Sequence, residues 1–250
     1  MATFLPVLMF HALDDRSSAI SFPPGVFQRG MARLQECGYR AVSLLEVVDD
    51  VRHGKPFPAR VFVLTFDDGY QSVYTEAFPV LQHYGWSATV FLTVGQNRKV
   101  NSQSRLPAME DRPMLAWHEI QEMYRGGLDF GAHTLTHPDL TCLSLDQVEA
   151  EVCTSQAIIA NALSATVASF AYPYGRYDRR SRKLVQQHFA CAVSDRLGLT
   201  TTHSEVYALE RLDAYYLRTD RLFALMWSRL LPWYLRACSV PRGIRRTVLG

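Results

Sequence analysis

The alternation of short apolar runs with amphipathic segments predicts an α/β protein whose parallel strands close into a barrel. Three observations carry that prediction. The apolar runs are rich in Val, Phe, Leu and Ala with little polar alternation, as in strands buried on both faces. About seven strand-helix repeats occur, which favours a closed sheet over an open one. The 250 residues fit one α/β barrel, and no stretch rich in Gly, Pro or Ser divides them, so residues 1–250 read as a single domain.

The first strand is read over Leu5–Phe10. Pro24 suits the first turn of a helix that ends before Gly38, and a second strand follows over Tyr39–Ser43. A helix over Leu44–His53 stops before Gly54 and leads to the strand Val61–Phe66. Ser72–Tyr84 stops before Gly85, and Ala88–Thr93 is the next apolar run. The polar stretch Gly95–Pro113 is long enough to be a lid on the substrate side. A helix over Trp117–Arg125 ends before Gly126 and precedes the strand Leu128–Ala132. Ser144 and Gln147 form a capping box for a helix running to about Leu163. After the strand Ala168–Tyr172, Asp178 caps a helix to about His188, and Ala190–Ser194 is the last strand of the series. Gly recurs just past these helix ends, where a left-handed residue closes the final turn.

Hydrophobic residues are 48% and charged residues 20%, an ordinary globular balance. The net charge of +2 is unevenly placed: from Arg211 to Gly250, eight Arg face two Asp, a net +6 that leaves −4 on the rest. Such a stretch can be a solvated face, a nucleic-acid patch or an anionic-membrane contact. A nucleic-acid partner is not expected, because the net positive charge is confined to one segment and no recognised binding motif is present. The five cysteines are odd in number and widely spaced, with no C-x-x-C, so neither a disulfide framework nor a zinc-thiolate site is indicated. Reduced thiols, a start that reads poorly as a signal peptide and the lack of a membrane-spanning apolar run give a cytoplasmic expectation.

Four motifs fall at predicted strand ends, where α/β folds place their active sites. Thr65-Phe66-Asp67-Asp68-Gly69 follows Val61–Phe66 and brings two adjacent carboxylates, although Asp and Gly also make ordinary turns. His133-Thr134-Leu135-Thr136-His137 follows Leu128–Ala132. Its two imidazoles can converge on one metal if the segment makes a helical turn, and the spacing is persuasive only beside a carboxylate from another strand end. Two His and one Asp leave coordination positions open, as catalytic rather than structural metal sites do. Phe170-Ala171-Tyr172-Pro173-Tyr174-Gly175 reads as a rigid turn able to aim a backbone N–H, or as a plain βα loop. His11 ends the run Leu8-Met9-Phe10, on the same rim or as a structural histidine.

TFDDG, H-T-x-x-H and the Y-P-Y-G turn, in that order, resemble the polysaccharide deacetylase family, also called the NodB homology domain, from about Leu5 to Asp213. The resemblance implies a distorted (β/α) barrel of about seven strands that binds Zn²⁺ or another divalent ion such as Co²⁺, Ni²⁺ or Fe²⁺. It implies removal of an N-acetyl group from an amino sugar of a polysaccharide, oligosaccharide or lipid-linked glycan. By motif match, Asp67 is the general base, and Asp68, His133 and His137 are the metal ligands. The turn at Pro173-Tyr174 supplies an oxyanion contact through the N–H of Tyr174.

The sequence departs from the family pattern twice. The third motif usually carries an Arg that partners the base, and Ala171 stands in its place; Leu209-Glu210-Arg211-Leu212 resembles a segment of members with this variant and offers Arg211 as the substitute. The usual late L-x-H segment with the general acid has no clear copy. His203 lies in a polar TTTHSE stretch, whereas Val7-Leu8-Met9-Phe10-His11 resembles the early segment of circularly permuted members, which assigns the acid to His11. Two further readings compete with deacetylation: hydrolysis of a formyl or non-sugar amide, and carbohydrate binding without turnover. Tyr70, Trp117, Tyr172 and Tyr174 can stack on sugar faces, although Trp117 equally suits helix packing. Within the basic aromatic segment at 219–250, Leu222–Leu235 carries Trp227, Trp233 and Tyr234 flanked by Arg221, Arg229 and Arg236. That composition can lie in a membrane interface as a peripheral contact, or form a last barrel helix with a solvated basic face.

Overall fold

The computed structural model describes residues 2–95, 105–107 and 109–239. Its core strands are β1 (Val7–Phe10), β2 (Arg40–Ala41), β3 (Val61–Phe66), β4 (Thr89–Leu92), β5 (Asp129–Ala132), β6 (Ser169–Ala171), β7 (Cys191–Leu197) and β8 (Leu209–Asp213). Seven of them pair in parallel in the order β1-β3-β4-β5-β6-β7-β8, and β8 returns to β1 through Leu212 and Leu8, so the sheet closes. Helices α1 (Pro24–Glu36), α3 (Phe78–Tyr84), α4 (Trp117–Arg125), α5 (Leu145–Leu163) and α6 (Arg179–His188) surround it, and α2 (Leu44–Arg52) lies at its floor. The fold is the closed barrel that the alternation predicts, in the distorted seven-stranded (β/α) form that the family resemblance implies.

The seven staves are not the seven runs expected. Tyr39–Ser43 contributes only the two-residue β2, which pairs with β3 outside the closed ring. Ser43 instead caps α2, its Oγ accepting from the Leu45 N–H at 3.2 Å. The apolar face of α2 (Leu44, Val47, Val48, Val51) belongs to one cluster with Val7, Val63, Phe91, Val193 and Leu209. Those strand residues alternate with the ones that meet the outer helices, so α2 plugs the lumen floor. The closing stave is β8, which the apolar-run criterion passed over because Leu-Glu-Arg-Leu-Asp carries three charges in five residues. Pro6 separates β1 from Phe4–Leu5, a short strand that pairs antiparallel with Thr200–Thr201.

The expected helix over Ser72–Tyr84 also differs. Val73–Ala77 forms a π-turn, and α3 begins only at Phe78. Pro79 has no N–H and its ring crowds the preceding turn, so the ladder widens, with Phe78 N–H bonding back to the Val73 carbonyl. After α4, Gly126 keeps a negative φ and Gly127 takes the left-handed role. Of the expected lid Gly95–Pro113, residues 96–104 and 108 lie outside the described residues. Leu106 is buried, and its N–H donates to the Leu115 carbonyl. No helix among the described residues is long and apolar enough to cross a membrane.

Candidate active site

The C-terminal ends of the staves open onto a cleft of about 430 Å³ lined by His11, Asp67, Asp68, His133, His137, Tyr174 and Arg211. These seven side chains come from five different strand ends, and the barrel brings all of them together. Strain concentrates there. Asp68 (φ 73°), Thr134 (φ 67°), His137 (φ 60°) and Tyr174 (φ 57°) all hold left-handed backbone conformations without being glycine. Such conformations persist only where the surroundings enforce them.

Asp68 Oδ1 lies 3.5 Å from His133 Nε2 and 3.5 Å from His137 Nε2, and the two imidazole nitrogens are 3.2 Å apart. The His133 Nδ1–H donates to the Ala171 carbonyl at 2.7 Å, which turns the Nε2 lone pair into the cleft. Burial first, and then His133, push the His137 imidazole down to about 4, so it is neutral at pH 7. Three electron-pair donors therefore face one another, and the buried Asp68 Oδ1 has no hydrogen-bond partner. That arrangement fits a divalent cation, whose charge would satisfy all three donors at once.

The convergence does not come from a helical turn, as the four-residue spacing suggested. The loop folds on itself, with Thr134 Oγ1 accepting from the His137 N–H at 3.0 Å. Glu151 on α5 clamps it from below, accepting from the N–H groups of Leu135 and Thr136 at 2.8 Å each and from the Thr136 hydroxyl at 2.7 Å. Sequence reasoning missed Glu151, because on an amphipathic helix that also carries Asp146 and Glu149 it looks like any solvated charge.

Asp67 sits in a different environment. Arg211 on β8 donates to Oδ1 from Nη1 and to Oδ2 from Nη2, both at 2.7 Å. Its Nε donates to the Ser194 carbonyl at 2.8 Å, and Nη1 also reaches Thr65 Oγ1. Only 1% of the Arg211 side chain is exposed. Burial acts to raise the Asp67 carboxyl, but the Arg211 guanidinium outweighs it and holds the group well below the usual carboxylate range. The guanidinium missing at Ala171 is thus supplied two strands away, while the Ala171 carbonyl orients His133. His11 Nε2 stands 4.0 Å from Asp67 Oδ2, in the cleft. His203 is exposed and lies away from the cleft-lining residues.

Tyr174 tops the third motif, its ring 4.7 Å from that of His137 and its side chain 57% exposed. Gly175 beside it has φ 61°, and a Cβ there would strike the Asp195 backbone and carboxylate, so only glycine lets the turn sit against β7. Trp117 is 3% exposed and packs in the core, which removes it from the sugar-stacking set. Tyr70 and Tyr172 line the cleft but are 1% exposed each, so Tyr174 alone of the four presents an open ring. A cluster that the sequence did not announce braces the rim. Buried Arg112 donates to Asp14 Oδ2, Glu110 Oε2 and Ser21 Oγ, each at 2.8 Å.

A family model for polysaccharide deacetylase matches residues 54–190. The Bacillus subtilis protein YxkH, assigned to the polysaccharide deacetylases, is 27% identical over 209 residues, 83% of this chain and 70% of YxkH. A poly-beta-1,6-N-acetyl-D-glucosamine N-deacetylase of Escherichia coli is 34% identical over 135 residues, 51% of this chain; the match spans only 20% of that protein. Among solved structures, the Streptococcus pyogenes deacetylase PplD in complex with acetate superposes with a TM-score of 0.75 at 24% identity, covering 85% of this chain and 93% of that one, a likeness of fold.

Proposed function

Because this chain belongs to the polysaccharide deacetylase family, we propose that it is a metal-dependent carbohydrate N-deacetylase, hydrolysing the N-acetyl group of an amino sugar. The carrying observation is the convergence of Asp68, His133 and His137 on one point beside an ionised, arginine-held Asp67. The substrate class is an N-acetylated polysaccharide, oligosaccharide or lipid-linked glycan, and the Escherichia coli relative's name makes β-1,6-linked N-acetylglucosamine the first candidate. The five unpaired thiols support a reducing, cytoplasmic setting.

Asp68, His133 and His137 hold the cation in this reading, with Zn²⁺ the first choice and Co²⁺, Ni²⁺ or Fe²⁺ alternatives. When bound, such an ion supplies Lewis acidity that polarises the acyl carbonyl and makes water a usable nucleophile at neutral pH. Asp67 receives the proton as water attacks the acyl carbon. Arg211 occupies one lone pair on each Asp67 oxygen and leaves the other free, so it fixes and ionises the base without blocking it. The Tyr174 N–H, at the tip of its left-handed turn, contributes to holding the oxyanion. His11, its Nε2 4.0 Å from Asp67 Oδ2, protonates the departing amine, which leaves poorly until protonated.

Acetate release from β-1,6-linked N-acetylglucosamine oligomers tests this reading. Metal-stripped protein should be inactive, Zn²⁺ should restore release, and Asp67→Asn should lose about 10²–10⁴-fold while still binding metal. Equal release by the stripped protein would refute metal dependence. Formate from a formylated analogue without acetate would reassign the acyl group, and no release with metal bound would leave a carbohydrate-binding protein.

A further inference from the structure

Residues 231–239 form a helix held to the barrel by its inner face, where Leu231 and Leu235 are buried and the Tyr234 hydroxyl donates to the Tyr216 carbonyl at 2.7 Å. The outer face is not the plain basic surface of a solvated helix. Trp233 is 68% exposed and Leu230, just before the helix, 62%. Arg229, Arg236 and Ala237, spaced three or four residues from these, share the exposed stripe. The Arg236 guanidinium lies 5.4 Å from the Trp233 ring centroid. Alongside, Phe4 is 42% exposed and borders a shallow apolar groove of about 290 Å³ with Leu197, Leu199 and Pro232.

The charge carried by the segment itself has one sign. Among the described residues 221–239 it holds Arg221, Arg229 and Arg236 and no Asp or Glu, and Asp220, next to it in sequence, is already bound by Arg29 Nε and Nη2 at 3.0 Å each. Exposed Trp and Leu gain by burial in an acyl boundary, while flanking Arg gain from anionic headgroups. A soluble polyanion would use the Arg but leave Trp233 and Leu230 in water.

We propose that the outer face of the 231–239 helix, centred on Trp233 and Leu230 and flanked by Arg229 and Arg236, docks the protein peripherally on an anionic lipid surface. Deleting residues 220–250 is the wrong test, because Phe223, Met226, Leu231 and Leu235 are buried there. The full chain should instead be floated with phosphatidylcholine vesicles with and without phosphatidylglycerol. Flotation is expected only with phosphatidylglycerol and should weaken in high salt. Trp233→Ser with Leu230→Ser, and separately Arg229→Glu with Arg236→Glu, should each reduce the bound fraction about tenfold or more while melting like the parent. Failure of the full chain to float on anionic vesicles overturns the proposal, as does equal flotation of both variants. Retention on a soluble polyanion without flotation also overturns it and assigns the Arg to an acidic polymer.

Discussion

At the scale of single residues, the decisive pair is Asp67 and Arg211. Both are buried, and the guanidinium satisfies the carboxylate through two 2.7 Å bonds, so removing either partner strands a charge. Arg211→Met is expected to cost about 3–5 kcal/mol in urea unfolding of the metal-free protein. The sign of the pH dependence follows from Asp67. Its folded-state carboxyl is depressed, so the stabilisation is fully present above the unfolded value of about 3.9 and is lost as pH falls through the folded value. The parent should therefore lose stability on acidification, and Arg211→Met should show a flatter acid limb in a melting-temperature series. Equal acid limbs would show that Arg211 does not set the ionisation of Asp67. Arg211→Lys should recover only part of the stability, since an ammonium cannot copy the two-pronged contact.

Between residues and the whole lie the loops that aim the ligands. His137 reaches the site from a loop whose backbone is pinned by Glu151, so metal affinity should depend on a carboxylate that never touches the metal. Glu151→Gln is expected to weaken Zn²⁺ binding about 10–100-fold in a chelator competition, with little change in melting of the metal-free protein. Unchanged affinity would mean that the Thr134 hydroxyl and the barrel wall suffice to hold the loop.

This scale also shows where the sequence was readable. Asp67, Asp68, His133 and His137 lie in contiguous motifs after long apolar runs, so strand, turn and ligand could be read together. Arg211 and Glu151 act across the fold from segments whose own pattern is ordinary, so Arg211 was reached only through the family resemblance of Leu209-Glu210-Arg211-Leu212 and Glu151 not at all. For β8 the pattern was misleading, because a lumen-facing Arg that pairs with Asp67 looks like a surface charge in a one-dimensional reading. The π-turn before α3 was legible in principle from Pro79. The converse error was Tyr39–Ser43, where Val42 joins the plug under the barrel, Ala41 packs in the outer core and Ser43 caps α2, so the run makes no stave.

Over the whole molecule, the question is whether the basic aromatic segment is an appendage or part of the barrel's cooperative unit. The described contacts join it closely to α1. Phe223 is 1% exposed, and a Cβ built on Gly30 would stand 2.5 Å from its ring, so the helix surface is hollowed at that glycine to receive it. Phe223 also meets Phe22 edge to face at 6.1 Å, which ties the segment to the aromatic group of Phe10, Phe27 and Phe66 beneath the site. If the segment belongs to one domain, Phe223→Ala should lower the stability of the whole chain by about 3–5 kcal/mol in a single urea transition. Gly30→Ala should cost about 1–3 kcal/mol by overpacking the same contact. Because both changes disturb one contact, the double mutant should fall short of the sum of the single effects. Two resolved transitions, with barrel unfolding unmoved by Phe223→Ala, would instead make 219–239 a separately folding unit. The 231–239 helix would then be attached to the deacetylase barrel without being braced by it.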